Sequence, residues 1–155
     1  MRLWVVLALV AYASALPVQD FFGGTIQSES ITICGTEDDL LSIEHINLYP
    51  DPPVKGETLS VDFKGYLKET VEEGAYVDVL VKYGVVKILQ KRFDLCEQAG
   101  QVNKSCPVEK GDFTIDKDVD LPKEIPPGRY TVNARVMTKD NEQITCINGL
   151  VNFPR

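Results

Sequence analysis

Ala75-Tyr76-Val77-Asp78-Val79-Leu80-Val81-Lys82-Tyr83 decides the fold. Ala75, Val77, Val79, Val81 and Tyr83 alternate with Tyr76, Asp78, Leu80 and Lys82. Side chains of an extended chain point to opposite faces in turn, so this period of two marks a half-buried strand. The pattern recurs on both sides. In residues 58–67, Leu59, Val61, Phe63 and Leu67 share one face. In residues 130–138, Tyr130, Val132, Ala134 and Val136 alternate with Thr131, Asn133 and Arg135. Residues 42–49 and 85–95 also read as extended, and Phe113 with Ile115 marks a short strand. Residues 144–153 form the last strand, where a shift of alternation near Cys146-Ile147 predicts a bulge.

The breaks carry turn chemistry: Pro50-Asp51-Pro52-Pro53, Lys55-Gly56, Glu73-Gly74, Lys110-Gly111, Pro126-Pro127-Gly128 and Asp140-Asn141. No segment has the apolar spacing of an amphipathic helix. About seven short strands with regular turns predict an all-β, antiparallel sandwich.

The N-terminus reads as a secretory leader over residues 1–15. Arg2 gives a basic start, residues 3–10 are almost unbroken apolar, and Ala13-Ser14-Ala15 fits signal peptidase, predicting cleavage after Ala15. The run is shorter than the roughly 20 residues a bilayer span needs. Residues 16–30 show little periodicity and read as a pro-segment or a disordered N-terminus, leaving 31–155 as one domain. Removing the leader leaves 15 basic and 23 acidic residues, a net charge of −8. That balance argues against nucleic-acid phosphates and against electrostatic docking on anionic membranes, though brief apolar contact with a membrane stays open.

In an oxidising compartment the four cysteines become disulfides rather than metal ligands or redox catalysts. Cys96 and Cys106 can close a short loop, and Cys34 with Cys146 can tie the domain's start to its last strand. Three pairings are open to four cysteines. Asn103-Lys104-Ser105 is an N-glycosylation sequon inside the short loop.

Catalytic and metal chemistry find little support. His45, the only histidine, sits among apolar neighbours and reads as a solvent-facing strand residue. Asp116, Asp118 and Asp120 begin like a calcium loop, but Leu121 and Pro127 stand where that loop needs Gly and Glu. They read as a solvated face, and Glu37-Asp38-Asp39 and Glu72-Glu73 as surface charge. No phosphate-binding glycine loop is present, and the cysteines lack zinc spacing. No cofactor, metal site or catalytic residue is expected.

The stretches around these features resemble one family. Asp94-Leu95-Cys96, Cys106-Pro107-Val108-Glu109-Lys110-Gly111, and residues 121–132 from Leu121-Pro122-Lys123-Glu124 to Tyr130-Thr131-Val132 are similar to fungal phosphatidylglycerol/phosphatidylinositol transfer proteins. So are Leu48-Tyr49-Pro50-Asp51-Pro52-Pro53, Ala75-Tyr76-Val77-Asp78-Val79 and Asp140 to Cys146. These belong to the ML lipid-recognition domain family, which includes the Niemann–Pick type C sterol-binding protein. Vertebrate sterol-binding members carry a further disulfide that this chain lacks.

The resemblance implies an immunoglobulin-like sandwich with a lipid cavity between its sheets, and both cysteine pairs named above. It implies a monomeric, non-enzymatic carrier of phosphatidylglycerol or phosphatidylinositol, in transient membrane contact, secreted or within a vacuolar or endosomal lumen. A sterol carrier of the same fold and a secreted recognition module with a filled core are the alternatives. By position, an entrance is expected near Val86, Ile88, Leu121 and Ile125, with walls from Phe63, Val77, Val79, Val132 and Val136. Lys87 or Lys123 is the expected phosphate contact.

Overall fold

A computed structural model describes residues 28–155. The expected leader lies outside the described residues. The period-two segments become eight strands: β1 (Ile31–Ile33), β2 (Leu41–Tyr49), β3 (Thr58–Leu67), β4 (Tyr76–Tyr83), β5 (Val86–Asp94), β6 (Gly111–Asp120), β7 (Gly128–Met137) and β8 (Gln143–Phe153). They form two antiparallel sheets, a large one in the order β1-β8-β7-β4-β5 and a small one in the order β2-β3-β6.

Several sequence expectations need correction. The three-residue β1 is additional; it pairs Ile31 to Ile33 with Gly149 to Ile147 and is too short to show a period. β6 is not short: it pairs with β3 over ten residues. The inner row of β6 is Phe113, Ile115, Lys117 and Val119, and the lysine interrupts the apolar signal. The bulge expected near Cys146-Ile147 falls slightly earlier in β8. The register shifts fall at Ile43/His45, Val81/Lys82 and Val136/Met137. The last of these puts the extra residue on β8, since Val136 pairs with Thr145 and Met137 with Gln143, so β8 bulges at Ile144.

A short helix, α1 (Leu95–Ala99), followed by a 3-10 turn (Gly100–Val102), carries the chain from β5 to β6. Asp94 caps it, accepting from the amides of Cys96 at 2.9 Å and Glu97 at 3.3 Å. One and a half turns are too few to show a helical period.

The two sides of the sandwich are joined differently. Cys34, the residue after β1, is disulfide-bonded to Cys146 of β8 in the same sheet, with 4.9 Å between Cα atoms. Beside it, Cys34 N donates to Cys146 O and Leu40 N to Gln143 O. Asp39, expected on the surface, is buried here, accepting from Thr36 N at 3.2 Å and Gln143 Nε2 at 2.9 Å. Between β5 and β6, the join is the loop containing α1, closed by Cys96–Cys106.

The ends differ as well. At one, Leu67, Val71, Ala75 and Ile144 form the buried cluster, with Leu95, Val108 and Val136 packed on it. A two-way backbone bridge between Val71 and Val108 closes that end. At the other end, Tyr130 stacks edgewise on Tyr83 and Phe153, with centroids 5.0 and 5.7 Å apart. The Tyr83 and Tyr130 hydroxyls donate to the carbonyls of Pro127 and Pro126. Gly128 is required beside them, at φ +142° with the Tyr83 ring where a Cβ would stand.

On loop-entropy grounds, the 112-residue separation of Cys34 and Cys146 should stabilise by about 5 kcal/mol and the 10-residue separation of Cys96 and Cys106 by about 3 kcal/mol. Denaturant unfolding of the two paired Cys→Ser variants should therefore show the larger loss for Cys34/Cys146. The reverse order would place native-state contacts, not chain entropy, in control.

Candidate functional site

The small sheet is too narrow to cover the large one. At about 4.8 Å per strand spacing, three strands span roughly 10 Å and five span roughly 19 Å. β4 shows the consequence: it lies between β7 and β5, yet none of its residues is buried. On β5 every residue except Phe93 is exposed. Apolar inner-face residues are thus left without a facing partner.

An apolar cavity of about 300 Å³ lies between the sheets, directly against the buried cluster. Its walls come from both sheets: Phe63, Phe113 and Ile115 from the small one, Val136, Thr145 and Ile147 from the large one. Leu67, Val71 and Ile144 form the closed end. Gln98, Ala99, Val102 and Lys104, from α1 and the loop after it, form the side wall. A filled core is therefore excluded in this part of the sandwich. The Lys104 ammonium sits 5.1 Å from the Phe113 ring centroid.

The sequence-predicted wall and entrance residues divide into three groups. Phe63 and Val136 line the cavity. Val77, Val79 and Val132 stand on the inner face of the large sheet in register with Val136, Ala134 and Val81. They are partly exposed and continue the apolar surface beyond the cavity. Val86, Ile88, Leu121 and Ile125 gather at the end remote from the buried cluster, Val86 and Ile88 exposed on β5. Leu121 is tied there by Gly56 N to Leu121 O at 3.0 Å and Leu121 N to Glu57 O at 3.1 Å. Lys87 pairs with Lys82 on β4, and Lys123 is exposed in the loop before β7. Asn103 is exposed and left-handed at φ 59°, ending the turn next to Lys104.

The loop residues Ala99, Val102 and Lys104 were not legible as wall residues, because a segment without periodicity gives no face assignment. Asp94 before Leu95, with Glu97 in the first turn, was the one available signal for α1.

The polar clusters lie elsewhere. Asp116, Asp118 and Asp120 occupy the outer face of β6, where Ser60 donates to Asp118 and Thr58 to Asp120. His45 lies 3.2 Å from Asp62 on the same outer face. Among the described residues no group of three or more His, Cys, Asp or Glu is placed to hold a metal. Charge is divided between the outer faces. The small sheet carries Asp62, Asp112, Asp116, Asp118 and Asp120, and the large sheet carries Lys82, Lys87, Arg92, Arg129 and Arg135. Arg92 stacks 3.9 Å over Tyr76 and donates to Asp78 at 2.7 Å, which holds the Asp78 carboxyl below its usual pKa.

Fold and cavity together define an antiparallel β-sandwich that keeps an apolar chamber between sheets of unequal width. The ML domain model matches residues 28–153, and the chain belongs to that family. A phosphatidylglycerol/phosphatidylinositol transfer protein of Yarrowia lipolytica is 46% identical over 125 residues, which cover 80% of this chain and 66% of that protein. One of the same name from Aspergillus fumigatus is 51% identical over 111 residues, covering 72% and 63%. The chain thus spans just under two thirds of the length of these relatives. Among solved structures, a Niemann–Pick type C2 protein from the Japanese carpenter ant superposes with TM-score 0.56 at 16% identity, covering 79% of this chain and 98% of that one. Chicken MD-1 complexed with lipid IVa superposes with TM-score 0.55 at 21% identity, covering 79% and 87%. These two share the fold.

One wall atom is out of place in an apolar chamber. Thr145 is 4% exposed, lines the cavity, and its hydroxyl has no hydrogen-bond partner among the described residues. An unsatisfied buried donor costs about 1–3 kcal/mol. Thr145→Val keeps the shape and removes the hydroxyl, so it should raise the unfolding free energy by about 1 kcal/mol in urea melts. A loss of stability would show that the hydroxyl is satisfied.

Proposed function

We propose that this chain is a monomeric, non-enzymatic carrier that shelters the acyl chains of a phosphatidylglycerol or phosphatidylinositol between its sheets. The observation that carries this reading is the apolar cavity continuous with the uncovered inner face of β4 and β7. Its volume of about 300 Å³ lies at the lower end of the roughly 300–1,000 Å³ typical of ligand sites. Val77, Val79 and Val132 extend the apolar path along which a longer chain can lie. Each CH₂ moved from water to such a surface contributes about 0.8 kcal/mol. The names of the fungal relatives support the choice of lipid. The two disulfides fit an oxidising compartment, and among the described residues no helix is long and apolar enough to cross a membrane. We place the protein in the secretory pathway, secreted or in a vacuolar or endosomal lumen.

The β4–β5 hairpin is the proposed membrane contact. Val85 at its tip is 95% exposed and Val86 58%, an arrangement that water alone disfavours. Lys82 and Lys87 stand directly opposite each other beside it, a like-charge pair relieved by an anionic surface. Chain-wide net charge argued against such docking; the local placement supports it. Asn103, exposed beside the cavity wall, is the proposed glycan acceptor.

Purified protein should accelerate exchange of labelled phosphatidylglycerol or phosphatidylinositol between vesicles, and should yield co-purified lipid on extraction. Ile147→Trp, which fills the cavity, should slow exchange about tenfold, the effect of losing contact with two methylenes. Val85→Asp should weaken vesicle binding while leaving lipid occupancy in detergent solution intact. Sterol displacing phospholipid at equal concentration would turn the reading to a sterol carrier, and no exchange with no bound lipid would end it.

In a glycosylating host, peptide-N-glycosidase should shift the mobility of the protein but not of Asn103→Gln. An unshifted wild-type protein would remove Asn103 as an acceptor.

A further inference from the structure

The inner row of β6 runs Phe113, Ile115, Lys117 and Val119, in register with Gly65, Phe63, Val61 and Leu59 of β3. Lys117 is the charged member of that row and is half-buried. On β5, the edge of the other sheet, Lys91 pairs with Val79 and shares its face with Phe93. Its ammonium rests 5.0 Å from the Phe93 centroid. The loop between these edges supplies Lys104, a wall residue of the cavity, with its ammonium over Phe113. Lys117 Nζ donates to Gln101 O of the same loop at 2.7 Å. Three ammonium groups thus border the side of the sandwich where β5 and β6 are joined by that loop.

None of the three forms an ion pair within 4 Å among the described residues. The acids nearest in sequence to Lys117, Asp116 and Asp118, point to the outer face of β6. An ammonium has three N–H donors. Lys117 uses one on Gln101, and the ring contacts of Lys91 and Lys104 use none of the hydrogen-bonding capacity an anion requires. Lys104 and Lys117 are half-buried, and a lysine drawn out of water costs desolvation unless an anion meets it; Lys91 is exposed beside them. Valine or isoleucine at these positions would extend the apolar walls, so the lysines are not explained by packing.

We propose that Lys91, Lys104 and Lys117 form the contact for the monoanionic phosphodiester of a lipid whose acyl chains occupy the cavity. The assignment rests on the carrier reading and adds its headgroup chemistry. Donors on three separate elements, β5, the loop and β6, suit an anion whose charge is spread over two oxygens. A sterol hydroxyl leaves the ammonium groups without a counter-charge. A phosphocholine brings its own cation against them. The contact also differs from the positions expected from sequence, since Lys87 faces away with Lys82 and Lys123 lies at the far end of the sandwich.

The test loads the full chain from vesicles of equal parts phosphatidylglycerol and phosphatidylcholine, and reads the bound lipids by native mass spectrometry. Both lipids come from one membrane, so differences in docking cancel. Wild type should be enriched in phosphatidylglycerol. The triple variant Lys91→Gln, Lys104→Gln, Lys117→Gln should lose that enrichment about tenfold, as expected for one charge-assisted hydrogen bond. The triple Lys→Arg variant, which keeps the charges and any pinning of the loop, should retain it. An unchanged ratio in the Gln variant, or equal loss in both variants, overturns the proposal. Wild type that loads neither lipid overturns the carrier reading instead. Glycerol 3-phosphate at the same concentration should not displace the lipid; if it does, the lysines form a free-anion site and the headgroup assignment falls.

Discussion

Three strands facing five leave one sheet partly uncovered, and most features of this molecule follow from that mismatch. In a sandwich of equal sheets, the central β4 would bury Val77, Val79 and Val81 against a partner. Here all three remain partly exposed. The alternation in β4 fixes which side chains face inward, but the number of strands opposite fixes whether anything meets them. Close packing gives protein interiors their density and most of their stability. This sandwich gives up part of that density over β4 and β7 and keeps it at the Leu67, Val71, Ala75 and Ile144 cluster.

A core concentrated at one end needs cross-links to keep the sheets in register. Cys34–Cys146 locks the end of β1 to β8 within the large sheet, and the Leu40 N to Gln143 O bond nearby ties β8 to the start of β2. Cys96–Cys106 closes the loop that joins the other pair of edges. Tyr83, Tyr130 and Phe153 brace the remote end through the Pro126-Pro127-Gly128 turn. Packing against these rings desolvates the Tyr130 phenol and raises its pKa. None of these devices fills the space between the sheets. They hold its perimeter, so the chamber can stay open without the domain losing its shape.

The strands were legible because Val77 to Val81 and Tyr130 to Val136 obey period two without interruption. β6 was legible only in part, since Lys117 occupies the inner row and breaks the apolar signal that Phe113 and Ile115 begin. β1 and α1 were not legible: three and five residues are shorter than any period that could be read. The broken alternation of β8 reported a real bulge, displaced to Ile144, where the adjacent Val136 and Met137 of β7 face Thr145 and Gln143. Asp39 looked like surface charge because its partners, Thr36 N and Gln143 Nε2, lie on separate segments. Phe63 and Val136 were found as wall residues from alternation plus resemblance. The loop wall was missed, since face assignment requires a period and a loop has none.

On the proposed carrier reading, the lysines at the β5–β6 edge acquire their meaning from what lipid exchange requires. Moving an acyl chain from a membrane into an apolar cavity exchanges one apolar environment for another, so the hydrophobic term of about 0.8 kcal/mol per CH₂ nearly cancels. That cancellation lets the lipid leave again at the acceptor membrane. It also means the walls distinguish poorly between lipids with similar chains. Selection then falls to the polar end of the lipid, which the proposed contact places at the β5–β6 edge. Hydrophobic residues along that edge would deepen the chamber and leave every lipid equally acceptable. In the proposed contact, lysine at 91, 104 and 117 makes the exchange depend on headgroup charge. The uncovered sheet supplies capacity, and in the proposed contact the lysines where β5, the loop and β6 meet supply the choice.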